Sequence, residues 1–320
     1  MAAIDRRRFL AGAAGATLAG CAPGERVAEE RPRPPKEGGI GGTGIVGVLT
    51  DFGSIVVNAR RIAVDRAPEI TDALGARNAD ALVRGQSLTV EATEDAPGAG
   101  LYARRIHITH PLIGPVERVT ADGRGLVVAG VAVRLEPGVA LEAAPGAAVA
   151  VSGLWDGDVV VASRIDPAPT DLVVVSGTLM ASGGGAAVHA LALAPGAALP
   201  APGGFVTVAG RLSGGALVAE RVVEGRFTGA AGPLIALSVE GYLEPVTAAP
   251  GFTLSGLGHS FDRDAQLAAF ARGRALFEGP YTGDFAVRHG LALPEGTAAR
   301  RAALPAGLDI AAAPGTRPTR

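Results

Sequence analysis

Apolar and polar residues alternate along much of this chain with a period of two. Leu88-Thr89-Val90-Glu91 and Phe205-Val206-Thr207-Val208 show the pattern, which predicts half-buried antiparallel strands. Val173-Val174-Val175 is apolar at every position and predicts a strand buried on both faces or lying against a neighbouring unit. Turn signals such as Asp122-Gly123, Asp156-Gly157 and Ser213-Gly214-Gly215 separate the strands. Helix is sparse. Asp264–Arg272, with Leu267 and Phe270 three apart and Gly273 as a stop, predicts a short helix, and residues 79–84 hold the corresponding place earlier in the chain.

The strand pattern recurs four times. Each unit opens on a glycine-led strand: Gly47-Val48-Leu49, Gly114-Pro115-Val116, Gly177-Thr178-Leu179 and Gly241-Tyr242-Leu243, at steps of 67, 63 and 64 residues. A second apolar strand follows in Ser54–Asn58, Gly125–Val133, Ala187–Leu193 and Gly251–Leu257. A later strand begins at Gly85, Gly146, Gly203 or Gly273, and each unit closes on Ala-x-Arg: Ala103/Arg105, Ala162/Arg164, Ala219/Arg221 and Ala286/Arg288. Landmarks in fixed order mark internal repetition. A unit of about 60 residues is too small for a thick sandwich, and closing its sheet removes the exposed edges. The expected fold is therefore all-β: tandem small OB-like β-barrels, about four repeats, with a one-turn helix between third and fourth strands. The repeats are expected over residues 42–110, 111–168, 169–226 and 227–294, strung like beads or packed together. The Ala-, Pro-, Gly- and Arg-rich tail, 295–320, has no strand pattern and is expected to be disordered.

The segments Gly44-Ile45-Val46-Gly47, Ile55-Val56-Val57-Asn58 and Leu82-Val83-Arg84-Gly85-Gln86-Ser87-Leu88-Thr89-Val90-Glu91 resemble the bacterial DUF5666 repeat. Leu267–Glu278, with Arg272-Gly273-Arg274-Ala275-Leu276-Phe277-Glu278, is similar, whereas units two and three replace the polar lead-in by Pro145-Gly146 and Pro202-Gly203. The resemblance implies an exported protein or lipoprotein with tandem repeats. It carries no catalytic residues.

The N-terminus reads as an export address over residues 1–20. Arg6 and Arg7, followed by Phe9 and Leu10, form a twin-arginine motif ahead of a weakly apolar run of 12 residues, Phe9–Gly20. That run is too short to cross a bilayer, which needs roughly 20 residues. It ends in Leu18-Ala19-Gly20-Cys21, which resembles a lipobox with Cys21 as the acylated residue. Ala22 in place of an aspartate favours the outer membrane, facing the periplasm, in a Gram-negative cell. Residues 21–41 then form a Pro- and Gly-rich spacer. Within it Gly39-Ile40-Gly41-Gly42-Thr43-Gly44 matches a dinucleotide fingerprint by letter, but it lacks the strand before it and the helix after it.

Composition narrows the function. The chain has 320 residues, 48% hydrophobic, with a net charge of −2 that becomes −4 once residues 1–20, holding three arginines and one aspartate, are removed. No basic field for nucleic acid exists, and 4% aromatic content leaves little for a stacking platform. One cysteine excludes an internal disulfide and Cys-rich metal sites, so no cofactor and no metal are expected. His107 and His110, three apart on a strand, face opposite ways unless the turn at Pro111 swings one back. Asp262-Arg263-Asp264 reads as a helix start and Asp156-Gly157-Asp158 as a turn, not as a hydrolytic pair. Trp155 and Tyr281 lie in or near loops, either packing there or marking a ligand surface. The arginines Arg105, Arg164, Arg221 and Arg288 give two readings: a guanidinium row for a polyanion or carboxylated glycan, or solvated charges guarding a strand edge. The expected function is a non-enzymatic envelope scaffold or binding module. It is anchored in the lipid bilayer through Cys21 and engages an envelope protein or polysaccharide. The alternatives are a polyanion, glycan or metal binder and an enzyme without a recognisable motif.

Overall fold

A computed structural model describes residues 41–96, 98–313 and 317–318. The export motif (Arg6, Arg7, Phe9, Leu10), the lipobox (Leu18, Ala19, Gly20) and Cys21 lie outside the described residues.

The period-two runs do form strands, and in three of the units they close. In unit one the strands Gly42–Asp51, Ile55–Val57, Arg60–Ala63, Ser87–Thr93 and Leu101–Ile108 pair in the order 1-2-3-5-4 and back to 1. Among these five only the contact between third and fifth strands is parallel; between the third and fourth stand a short hairpin, Glu69–Asp72 with Gly75–Ala76, whose first strand also runs parallel to Leu101–Ile108, and a 3-10 turn, Ala79–Ala81. Unit two repeats the order with Leu112–Val119, Gly125–Val128, Val131–Leu135, Ala148–Asp156 and Val159–Pro167. Unit three does so with Val173–Ser182, Gly185–Val188, Leu191–Leu193, Phe205–Ser213 and Ala216–Glu224. Closure pairs most of the strand edges within each barrel and leaves only part of a first strand open to a neighbouring unit.

The Ala-x-Arg landmark has a physical origin. Glu91 faces Arg105 while Ala92 faces Ala103, so Arg104 is the extra residue of a β-bulge. The same shift places Ser152 opposite Arg164 and Gly153 opposite Ala162, then Ala209 opposite Arg221 and Gly210 opposite Ala219. A Cβ on Gly153 would stand 2.2 Å from the Val161 carbonyl oxygen, so backbone itself demands glycine there.

Unit four is the variant. Its first strand, Leu234–Pro245, pairs with Phe252–Leu254 and Arg274–Pro280, but the third strand shrinks to a parallel bridge between Phe261 and Phe285. Phe261, Phe270, Phe277 and Phe285 fill the space with edge-on and stacked ring contacts. The helix expected over Asp264–Arg272 is one 3-10 turn, Ala268–Phe270, preceded by an Asx turn in which Asp262 accepts from the Asp264 N–H. Here the sequence landmark is out of register. Glu278 faces His289, not Arg288, so Arg288 takes the bulge position and projects to solvent. A one-residue slip reverses the face of the side chain.

The four units are fused rather than strung out. The first strands of units one and four lie parallel, Gly44 beside Leu237 and Val46 beside Val239. Those of units two and three pair antiparallel through Leu112–Val175 and Ile113–Val174. This explains the doubly apolar strands: Val173 and Val175 enter a barrel core, whereas Val174 packs at a junction with Ala73, Ile113, Ala150 and Ala209.

The tail corrects the sequence expectation. Thr297–Ala303 is a helix, Ile310–Ala312 a 3-10 turn, and Arg317–Pro318 adds a short strand to His289–Ala292. Leu304 and Ile310 are buried with Ala59, Leu276 and Leu293. Order comes chiefly from Arg300, fully buried, whose guanidinium is bidentate to Glu136 at 2.9 and 2.9 Å and lies 3.1 Å from Glu240. Arg274 completes the group, paired with Glu136 and, at 2.7 Å, with Glu240. Burial opposes ionisation of Glu240, but Arg274 and Arg300 outweigh it and hold its carboxyl below the usual range. Glu240 also accepts the Val48 N–H at 2.9 Å. Two cations and two anions thus tie units one, two and four to the tail.

Candidate functional site

A cleft of about 630 Å³ opens where units one and two meet the C-terminal helix. It forms because two bulge-adjacent segments are zipped together: Ser163 donates to the Gly85 carbonyl at 2.7 Å, and Ser87 both donates to the Gly153 carbonyl at 2.8 Å and accepts its N–H at 2.6 Å. That zipper brings Arg84 beside Arg164, whose guanidinium reaches the Arg84 carbonyl at 3.5 Å. Pro137, Val139, Ala140 and Ala143 supply an apolar wall with Val149 and Ile165, Glu142 adds a carboxylate, and the helix contributes Arg301.

Three arginines and three carboxylates, Asp51, Glu142 and Asp166, meet at the cleft. Arg164 is held bidentate by Asp166 at 2.7 and 2.5 Å. Arg84 and Arg301 share one carboxylate, Asp51, at 2.7 and 2.9 Å. Asp51 is held below its ordinary pKa first by the Phe52 N–H and then by these arginines. Two guanidinium groups thus share one carboxylate at a half-exposed rim, with an apolar wall behind them and the Glu142 carboxylate lining the same cleft. The half-exposed guanidinium groups of Arg84 and Arg301 can pair with a carboxylate or phosphate, and the wall can take a partly apolar body.

The four arginines singled out from the repeat do not converge. Only Arg164 lines this cleft. Arg105 is buried, 3.5 Å from Glu91 and donating to the Arg226 carbonyl of unit three at 3.5 Å. Arg221 donates to the Ala73 carbonyl of unit one, and Arg288 is exposed. Three of them therefore cross-link units. Bulge geometry, not a ligand row, explains their spacing.

The histidines are packed rather than gathered. His107 pairs with the Thr71 hydroxyl at 2.9 Å, and burial, aided by Arg105 and Arg226, pushes it down to about 3. His110 is buried and pushed down by desolvation. His189 stacks on Trp155 with centroids 4.1 Å apart and falls to about 4 through burial. His259 stacks on Phe227 with Tyr281 edge-on, and burial and Arg226 lower it to about 4. Among the described residues no group of three or more His, Cys, Asp or Glu stands close enough to hold a metal. Trp155 is a core residue, 3% exposed, donating from Nε1 to the Ser176 carbonyl at 2.8 Å. Asp156-Gly157-Asp158 spans the turn joining two strands of unit two.

Arg84 and Arg301 were missed as candidates. Arg84 carries no landmark of its own, and Arg301 sits in a tail with no strand pattern. The signal that could have found Arg84 is its place one residue before the glycine that opens the fourth strand.

Fold and site together define an all-β protein of three five-stranded barrels fused to a fourth, variant unit, with a ligand-sized cleft where units one and two meet the C-terminal helix. A family model described as a domain of unknown function (DUF5666) matches residues 43–107. That span is unit one nearly from its first strand to its last, and units two and three share its strand order outside the match. No curated protein and no solved structure matches the chain. Among the described residues no helix is long and apolar enough to cross a membrane.

Proposed function

We propose that this protein is a non-catalytic binding module of the cell envelope, held at a membrane by acylated Cys21, facing the periplasm from the outer membrane in a Gram-negative cell. The observation that carries the binding role is the cleft in which Arg84 and Arg301 share Asp51 beside an apolar wall. The twin-arginine motif with its lipobox supports export and anchoring. Strongly shifted histidines lie in packing positions and not in the cleft, which favours binding over proton-transfer chemistry. The partner is an envelope protein or polysaccharide that presents carboxylate or phosphate groups.

Cross-linking and pull-down from envelopes tests the role. Wild type should retain a partner that the double variant Arg84→Ala/Arg301→Ala loses while keeping its thermal stability; equal retention by both refutes the cleft as the site. Anchoring is read separately, by palmitate labelling. Wild type should label and Cys21→Ala should not, and equal labelling would sink the lipoprotein assignment.

A further inference from the structure

A second, smaller cavity lies at the meeting point of all four units. It measures about 20 Å³ and is lined by Ser87 and Thr109 of unit one, Trp155 of unit two, Ser176 and Arg226 of unit three, and Ser255 of unit four. A volume of this order holds one particle of water size, since roughly 10–15 Å³ suffices for a water. Polyatomic oxyanions and sugars are too large for it.

Arg226 makes this cavity chemically unusual. Its side chain is nine-tenths buried, with Nη1 donating to Thr89 Oγ1 at 2.9 Å and Nη2 to the Gly256 carbonyl at 3.0 Å. Nε has no partner, and one face lies 3.9 Å from the centre of the Phe205 ring. Among the described residues no carboxylate reaches ion-pair distance. The neighbouring acid, Glu91, is committed to Arg105 at 3.5 Å and to the N–H and hydroxyl of Thr228 at 2.7 and 2.8 Å. Arg105 and Arg226 against Glu91 leave one uncompensated positive charge. Nearby His107 and His259 add no negative charge. A buried charge is tolerated when it is paired and hydrogen-bonded, so this guanidinium requires a counter-ion.

We propose that the central cavity binds one small monovalent anion, of halide size, with Arg226 as its counter-charge. The site is independent of the Arg84 cleft and has no bearing on the envelope partner. Its role is structural: the ion neutralises the point where the four units converge.

The test uses the whole protein and two readouts. Thermal unfolding is compared in sodium chloride and in sodium gluconate at equal ionic strength, gluconate being too large for the cavity. Wild type should melt about 3 °C or more higher in chloride, the shift expected when an ion binds only the native state. Arg226→Met should show no difference between the two salts. Crystals of the wild type grown in bromide should give an anomalous peak in contact with the Arg226 guanidinium, a reading that stands even if the variant fails to fold. Equal melting of wild type in both salts, or a cavity containing water and no bromide, overturns the proposal.

Discussion

Removing Arg300 should unlock the tail and weaken the whole molecule. The side chain is fully buried, and its loss leaves Glu136 and Glu240 with Arg274 alone, an excess of one negative charge in a site 0–2% exposed. Breaking a buried ion pair by deleting one partner costs about 3–5 kcal/mol, because the stranded charge keeps its desolvation penalty. For a chain of this size that corresponds to a fall in melting temperature of about 6–15 °C. Arg300→Met and Glu136→Gln are each made, then combined. The double variant is neutral again, with Arg274 and Glu240 still paired at 2.7 Å, so it should lose clearly less than the sum of the singles. Chemical unfolding gives the energies, and hydrogen exchange across 297–310 reports whether the tail detaches first. Singles within about 1 kcal/mol of wild type, or strictly additive losses, would show that the cluster does not hold the tail as argued.

Acid should destabilise the protein well above the carboxylate range. His107, His189 and His259 sit at about 3, 4 and 4 in the folded state against 6.5 unperturbed. The unfolded chain therefore takes up protons first, and stability present above about pH 6.5 is lost on the way to about pH 4. At about pH 5 this amounts to about 2 kcal/mol per histidine, or about 6 kcal/mol together. A melting temperature flat between about pH 7 and about pH 5 would contradict it. Gly256→Ala places a Cβ 2.3 Å from Trp155 Cδ1 at a φ of +72°, and should cost about 2–4 kcal/mol by denaturant titration. Arg84→Ala and Arg301→Ala, both half exposed, should each cost under about 1 kcal/mol, so that a loss of partner binding is not a loss of fold.

Much of the architecture was legible because it is written in local signals. Closed five-stranded units follow from alternation, turn residues and repeat length, and the one-turn helices fall between the third and fourth strands in units one and four. What escaped depends on pairs far apart in sequence. Arg300 looks like any tail arginine, since its partner Glu136 lies 164 residues away. Unit four misled because Ala286-Val287-Arg288 imitates the landmark by letter while the bulge falls one residue later, and only the ladder to Arg274–Pro280 reveals this. The arginine spacing was read correctly as periodic, but periodicity marked a backbone irregularity common to the barrels. The cleft was hidden for a third reason: it belongs to no single unit.

The parallel seam between the first and last barrels has a consequence for biosynthesis. The Val48 N–H finds its acceptor in Glu240, 192 residues later, and the flank of Gly42–Val46 opposite Ser87–Thr93 has no neighbour until unit four exists. At translation rates of about 5–20 residues per second, that edge waits about 10–40 s on the growing chain. In linear arrays each repeat leans only on its neighbours and can settle as it is made. Here the nascent first barrel carries an open flank until the last has emerged, so completion of the chain, and not its first module, sets when the native state becomes accessible.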